Sequence, residues 1–573
     1  MALRRATGAA LAGLSAATAY RYNQVKTREQ NLPTNKLTAF KDMEPLPATT
    51  RNWIPFWSRP SPAVTTNPQK VVVIGAGVVG VSTAYKLAEK GHQVVVLEPM
   101  PQPGEECSAC AAGGMSRQNV VVDKNTWLAV LKCLAPRPVQ RLVWGQADDF
   151  AFFRIDWFSS LSDPFFLRWA WTFTHTSLFP NVEQQDKQKH MLQFTKFAVQ
   201  DMVNMFEDPR DNMKDCAGYN SRGSLAVSYD EPEGSGSPSP FPDDKPKVMS
   251  SENDEDNKNY KDSPPKELKL SLEPNRRIEG TEAVLKEEPS LKFQKIPPTS
   301  AKFEYEAKAA SSGRFAKELA RRCVNDPSLD VSFIYDTKVL GVDTSKSNSA
   351  KHRITALRTN HGVIDVSEDM HVVVTAGAWT PHILALMDLY APVYPLKGYA
   401  MSVSAKQALA ENTELLPQDL PSRIVCDKYM YTTRLGDEIR ITSIGEFSEW
   451  NTKPSPEVDE NFRQEAMRQF PQLSSLISQA TTYCGHRPYV SDGILLLGAC
   501  SDTYDNLYVS CGPGSNGWKL AMGSGEVVAR LVSGEKIEQM EEELGFDANA
   551  FSPQGRVLDA PTFAKICRAR WNI

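Results

Sequence analysis

Three glycine-bearing turns carry most of the chemistry that this 573-residue sequence offers. The first follows Lys70 and the β-branched run 71–74, and it reads Gly75-Ala76-Gly77-Val78-Val79-Gly80. In such a GxGxxG pattern the first glycine permits the tight turn and the second lets backbone approach a pyrophosphate. The third lets the helix pack close to the sheet. That helix has Val81, Ala84, Tyr85 and Ala88 on one apolar face, and its N-terminal amides favour phosphate charge. A second run, 94–97, ends at Glu98, a carboxylate placed to accept from ribose hydroxyls. Glycines alone are weak evidence. Strand, turn, helix, strand and terminal acid within one unit of about 30 residues are strong.

The other two turns lie far along the chain. Residues 372–374 form a second buried run, ending in Thr375, Ala376 and Gly377. Residues 507–511 form a third, followed by Gly512, Pro513, Gly514, Gly517 and Trp518. From Trp518 a helix puts Ala521, Ser524, Gly525 and Val528 on one face. Small residues there permit close approach, and the helix N-terminus suits the electron-rich edge of a reduced flavin. A nicotinamide-binding domain normally closes within about a hundred further residues. A cofactor domain drawn from the first, middle and last parts of a chain implies FAD instead.

These elements predict an α/β protein: a Rossmann-like FAD-binding domain assembled from discontinuous segments, plus an α+β substrate domain with a mixed sheet. The expected cofactor segments are 69–130, 301–390 and 481–540, and the substrate segments are 131–230, 269–300 and 391–480. Residues 331–342 supply a further cofactor-domain strand behind a helical GRFAKELARRC. Residues 1–30, of which the first 28 carry arginines and no acid, read as a mitochondrial leader, the alternatives being a cytoplasmic protein or a short N-terminal anchor. Residues 31–68 form a Pro-rich linker and 541–573 a tail. Residues 231–268 are acidic and rich in proline, and they carry too few apolar groups to offset their ordering entropy, so they read as a disordered insertion.

A formal net charge of −5 offers no basic excess for nucleic acid. No apolar run reaches the length of a membrane span. The aromatic stretch 152–179 reads as the core of substrate-side helices, with a peripheral membrane-surface patch as the alternative. Cys107 and Cys110 form the one CxxC. Without a second ligand pair it predicts no zinc site, a redox dithiol being the alternative reading, and no other metal is expected.

The fingerprint, the ECSACAAGGMS segment, VVVTAGAWTPHIL, VYPLKGYAMSV and GHRPYVSDGILLLG leading into CGPGSNGWKLAMGSG resemble the D-amino-acid oxidase superfamily of flavoproteins. The bacterial-type D-amino-acid dehydrogenase small subunit is most similar, over most of residues 70–535. The fingerprint is shared by many flavoproteins; the YPLKGY and GHRPYVSDG segments, in that order, are more specific. The resemblance implies that residues 75–80 and Glu98 bind the ADP half of FAD, and that Ala111 to Met115, with Gly113 and Gly114, lie along the flavin. Val339 would meet adenine through backbone. Ala376 and Gly377 would sit near the pyrophosphate, and Gly512, Gly514, Gly517 and Trp518 would cradle the pyrimidine end. Arg487 would hold a substrate carboxylate, a task suited to a bidentate guanidinium, and Tyr399 would line the pocket.

The sequence departs from the family at Pro513, where GHG is usual, and at Lys519, where the dehydrogenases carry Thr. Cys484 falls near the residue that attaches flavin covalently in sarcosine-type oxidases. The implied activity is oxidative deamination of D-amino acids: hydride leaves Cα for flavin N5, and a 2-oxo acid and ammonia follow. A quinone, an electron-transfer protein or oxygen would take the electrons. A mitochondrial flavoprotein assembly factor and a sarcosine-type dehydrogenase are the alternatives.

Overall fold

The computed structural model describes residues 67–117, 139, 153–156, 160–208, 213–229, 275–346, 351–427, 430–500 and 502–573. The leader, nearly all of the Pro-rich linker and the acidic insertion therefore lie outside the described residues.

Valine-rich runs build the first sheet. Strands β1 (Lys70–Ile74) and β2 (Gln93–Leu97) each bury their last four residues, as a parallel strand covered on both faces should. Beside them lie β7 (Val331–Ile334), β8 (Met370–Val374), β14 (Leu496–Ala499) and β15 (Leu507–Cys511), in the order β14-β15-β8-β1-β2-β7. All pairings are parallel except β14 with β15. The register sets Ile74 beside Val374 and Val374 beside Val509, which brings the three glycine turns to one end of the sheet.

Strand alternation divides the valines between two cores. Val71 and Val73 face helices α1 (Val78–Glu89), α4 (Val182–Glu207) and α8 (Gly517–Val532). Val72 and Ile74 face a three-stranded antiparallel sheet formed by residues 339–346, 352–359 and 363–365. The small-residue face of α8 acts as expected. A Cβ on Gly525 would fall 2.7 Å from the Ser82 carbonyl oxygen of α1, and one on Gly523 would fall 2.6 Å from the Ala198 Cβ of α4. Buried Lys86 ties the same three helices together, with Nζ 3.0 Å from Asp201 and 3.4 Å from Glu526.

The second sheet has nine strands. Its main path runs β13 (Tyr483–Val490), β9 (Val393–Ser404), β12 (Glu438–Phe447), β11 (Met430–Leu435), β10 (Ile424–Cys426), β4 (Ser224–Ser228), β6 (Ser300–Glu304) and β5 (Asn275–Glu279), with β3 (Phe153–Ile155) beside β12. Tyr399, Met401 and Val403 of β9 face a core shared with helix α7 (Pro456–Gln469).

Three boundaries differ from expectation, the first being that β6, expected from residue 301 in the second cofactor segment, lies in the second sheet. Helix α4, assigned to the substrate domain, packs Phe194, Ala198 and Met202 into the cofactor-side core. Strand β13, assigned to the third cofactor segment, pairs with β9 in the second sheet, so the crossing falls between Val490 and Leu496. The tail is ordered as helices at 537–544 and α9 (Pro561–Trp571). Helix α3 (Pro164–Leu178) buries Phe165, Phe166 and Trp169 against Tyr394 and Phe447, as the core reading of that stretch expects, while Trp171 and Leu167 stay exposed. Among the described residues no helix is long and apolar enough to cross a membrane.

Two expected outcomes follow from this packing. A Cβ on Gly80 would stand 1.9 Å from the Gly75 carbonyl oxygen, so Gly80→Val should yield no soluble folded protein; a normal melting curve would contradict the packing. Fully buried His92 accepts from the Gln69 amide through Nδ1 at 3.0 Å, and its Nε2 lies 2.9 Å from Ser533 Oγ. That arrangement suits the neutral ring, and burial pulls the imidazole down to about 4. The unfolded chain takes this proton near pH 6.5, so the native state loses stability as pH falls from there towards 4. The stability advantage of wild type over His92→Gln should shrink by about 2 kcal/mol between about pH 7 and about pH 5 in denaturant titrations. A pH-independent difference would contradict the assignment.

Candidate active site

The first turn is held open by backbone contacts. Gly75 has φ +106° and lies against the 375–376 peptide, where a Cβ would fall 2.9 Å from the Thr375 oxygen. Thr375 Oγ1 donates to both the Ile74 and Gly75 carbonyls at 3.0 Å, stitching the first two turns together. Gly77 caps α1, whose first turn carries no acidic side chain. The Val78 amide donates to Ser108 Oγ at 3.0 Å, and the Ala76 amide donates to Glu98. Glu98 also accepts from the Met100 amide. Burial pushes its carboxyl up while these two amides pull it down. The Thr337 amide reaches the Glu98 carbonyl at 2.8 Å, so the chain entering Val339 passes beside Glu98.

Protein atoms fill the space at Gly75 and Gly80 but leave it at two other glycines. A Cβ on Gly77 would meet only Ser108 Oγ, at 3.4 Å, and one on Gly377, at φ +54°, would meet nothing within 4 Å. Open space beside a helix N-terminus with no acid in its first turn fits a diphosphate. The residues present therefore fit FAD, and residues 75–80, Glu98, Ala376 and Gly377 would hold its ADP half.

The third turn is stitched to β13. Gly512 (φ +83°) presses on Val490, Gly514 (φ +55°) on the Tyr489 ring, and the Tyr489 hydroxyl lies 2.7 Å from Ser515 Oγ. Gly517 opens α8 against Pro513. Trp518 packs on Phe315 and donates from Nε1 to the Gly113 carbonyl at 3.0 Å, so the expected flavin-side segment of Gly113, Gly114 and Met115 is tied to the same helix. Lys519 is buried; burial lowers its ammonium to about 8, with Glu304 opposing.

Arg487 stands opposite Leu396, and its guanidinium lies across Gly398. A Cβ on Gly398 would fall 2.6 Å from Nη2 and 2.7 Å from Cζ. Gly485, opposite Gly398, shares this face and borders Cys107 and Cys110, so the arginine lies on the side of the strand pair that meets helix α2 (Cys107–Cys110), which leads into residues 111–115. Tyr399 is placed elsewhere. It alternates to the other face of β9, is fully buried against Phe462, donates to Glu446 at 2.6 Å and accepts from the Ser455 amide at 2.9 Å. Glu446 also pairs with fully buried Lys397 at 2.8 Å. The expected pocket role of Tyr399 is corrected on this ground: a one-residue step along a strand reverses the face. Cys484 shares that reversed face beside Lys397 and Glu446, away from Arg487.

Three residues that shape the site were not singled out from sequence. Ser108 and Thr375 left only a weak signal, as small polar residues within turns after buried strands. Gly398 carried a usable one, because a glycine between Lys397 and Tyr399 in a strand marks a close approach. Among the described residues no group of side chains is arranged to hold a metal.

Known proteins share this arrangement of segments. The sequence profile of the DAO family, described as FAD dependent oxidoreductase, matches residues 70–531. A D-amino acid dehydrogenase of Granulibacter bethesdensis is 26% identical over 472 residues, covering 82% of this chain and 96% of that protein. One of Bradyrhizobium diazoefficiens is 25% identical over 480 residues, with the same coverage. Among solved structures, glycine oxidase from Geobacillus kaustophilus superposes with a TM-score of 0.52 at 19% identity, covering 84% of this chain and 98% of that one. L-proline dehydrogenase from P. horikoshii does so at 0.50 and 16%, covering 85% and 97%. At such identities the structural likeness establishes the fold.

Since a side chain at position 77 would enter the space left for the diphosphate, Gly77→Val should fold normally yet purify colourless. Circular dichroism and the flavin absorbance band check both halves. A variant that stays yellow would remove this turn from the cofactor site.

Proposed function

Because the chain belongs to the DAO family of FAD-dependent oxidoreductases, and is thus a flavoenzyme acting on amino acids or amines, we propose that it oxidises the Cα–N bond of D-amino acids. The observation that carries this reading is the Arg487 guanidinium laid across Gly398, on the face of β9 and β13 that meets the 107–115 segment. A planar fork in that position suits the carboxylate of an amino acid by two parallel N–H···O bonds. The relatives named D-amino acid dehydrogenase support the D configuration.

In this reading each residue has a positioning or binding task. Arg487 fixes the carboxylate, which leaves the amino group and Cα–H to be oriented by the remaining pocket. Gly398 keeps the guanidinium flat by lacking a side chain. The 111–115 segment, held by Trp518 through Gly113, forms the wall beside the reacting carbon and limits water there. When bound, FAD supplies the two-electron acceptor for the Cα hydride. No protein base is required if the amine arrives neutral, and the resulting imine hydrolyses to a 2-oxo acid and ammonia. A quinone, an electron-transfer protein or oxygen then completes turnover.

The holoenzyme should lose its visible flavin band under anaerobic conditions on adding a D-amino acid and keep it with the L enantiomer. Bleaching by L-amino acids, glycine or sarcosine alone would overturn the D assignment. Arg487→Ala should lower kcat/KM by about 100-fold or more, equivalent to about 3 kcal/mol for a carboxylate left without its charged partner. Gly398→Ala should raise KM by about tenfold with flavin content unchanged, since only the guanidinium is displaced. An unaltered KM in both variants would take Arg487 out of the site.

A further inference from the structure

The CxxC helix stands closer to the proposed substrate arginine than its sequence position suggests. Helix α2 is a single turn: its capping residue Glu106 has φ +52°, and Ala111 is already extended. Positions three apart in one turn share a face, and here that face presses on β13 at Gly485, two residues before Arg487. A Cβ on Gly485 would fall 2.9 Å from Cys107 Cα, 2.8 Å from Cys110 Cβ and 3.0 Å from Cys110 Sγ. Both cysteines therefore border one point on the strand, and Cα atoms three residues apart in one α-helical turn stand about 5 Å from each other, inside the usual disulfide span of about 4.4–6.8 Å between Cα atoms. Each keeps some accessible surface. Just downstream, Arg440 Nη1 donates to the Ala111 carbonyl at 2.9 Å and Trp518 Nε1 to Gly113, so a shift of α2, whose chain runs straight into Ala111, would strain the bonds that hold the segment expected along FAD.

We propose that Cys107 and Cys110 form a reversible dithiol–disulfide couple set against the Arg487 strand, and that its closure weakens FAD binding by displacing residues 111–115. The second half rests on the FAD reading; the first does not. A low-molecular-weight disulfide such as oxidised glutathione serves as oxidant. One cysteine attacks as thiolate and forms a mixed disulfide, releasing one glutathione thiol. The second cysteine then displaces the other glutathione thiol as the Cys107–Cys110 bond forms. The protein loses two electrons and two protons, and one glutathione disulfide becomes two thiols. Burial pushes the Cys107 thiol up to about 11 and Cys110 well up too, so closure should be slow near neutral pH, and so should reopening, because high-pKa thiols leave poorly.

The test incubates full-length holoenzyme in glutathione buffers from fully reduced to fully oxidised, alkylates the remaining thiols and maps the peptides. The expected result is a Cys107–Cys110 link in the oxidised buffers, lost again on dithiothreitol treatment and absent from Cys107→Ser and Cys110→Ser. Both cysteines recovered alkylated in every buffer, or linked instead to Cys484, would overturn the couple. FAD affinity is then read by flavin fluorescence for the linked and reduced forms. A dissociation constant about threefold or more higher in the linked form is expected, and an unchanged constant would overturn the coupling to residues 111–115. Neither readout uses substrate, so failure here is separate from failure of the D-amino-acid reading.

Discussion

The parallel pairing of β1, β8 and β15 is the constraint on which the rest of the molecule depends. Setting Ile74, Val374 and Val509 level makes three remote segments end side by side, where an open α/β sheet binds its ligand. A slip of one residue in any pair would turn buried valines to the wrong face and separate the turns. Among the described residues, the three turns expected to hold FAD carry no charged side chain, and Glu98 is the one acid hydrogen-bonded to them. The chemistry of this cofactor site is backbone amides, a helix terminus and space left by missing side chains.

That economy shifts specificity to the second sheet. Its edge pair, β9 and β13, carries Arg487 on one face, and on the other face Lys397 and Tyr399 of β9 meet Glu446 of β12. The buried network ties β9 to β12 from behind, and the guanidinium lies in front of β9 across Gly398. Buried charges are costly unless paired and hydrogen-bonded, and Glu446 accepts from Tyr399 and Ser455 besides pairing with Lys397. Arg487, the proposed carboxylate ligand, thus packs against a strand, β9, that is held from behind by buried polar contacts, as a site relying on positioning would need.

Much of this was legible in the sequence because it concerned periodicity and glycine. The fingerprint, the buried valine runs and the small-residue face of α8 each have one physical reading, and the structure places them together. The misplaced parts concern parity and long-range packing. Tyr399 adjoins Gly398 in sequence, yet the two lie on opposite faces, and only the pairing with β13 shows which face meets the cofactor side. Likewise α4 looks like any amphipathic helix; nothing local says that Ala198 is small because Gly523 needs room. The crossing near residue 490 was missed because β13 and β14 are nearly continuous in sequence but belong to different sheets.

The central claim joins a backbone cradle for FAD to a carboxylate-binding guanidinium on the adjoining sheet. The most direct measurement is a crystal structure of the FAD-loaded protein with an unreactive carboxylate such as benzoate. The account predicts the diphosphate against Gly77, the ring system beside residues 111–115 and the carboxylate on Arg487. A carboxylate bound elsewhere while Arg487 is engaged by a protein acid would contradict it.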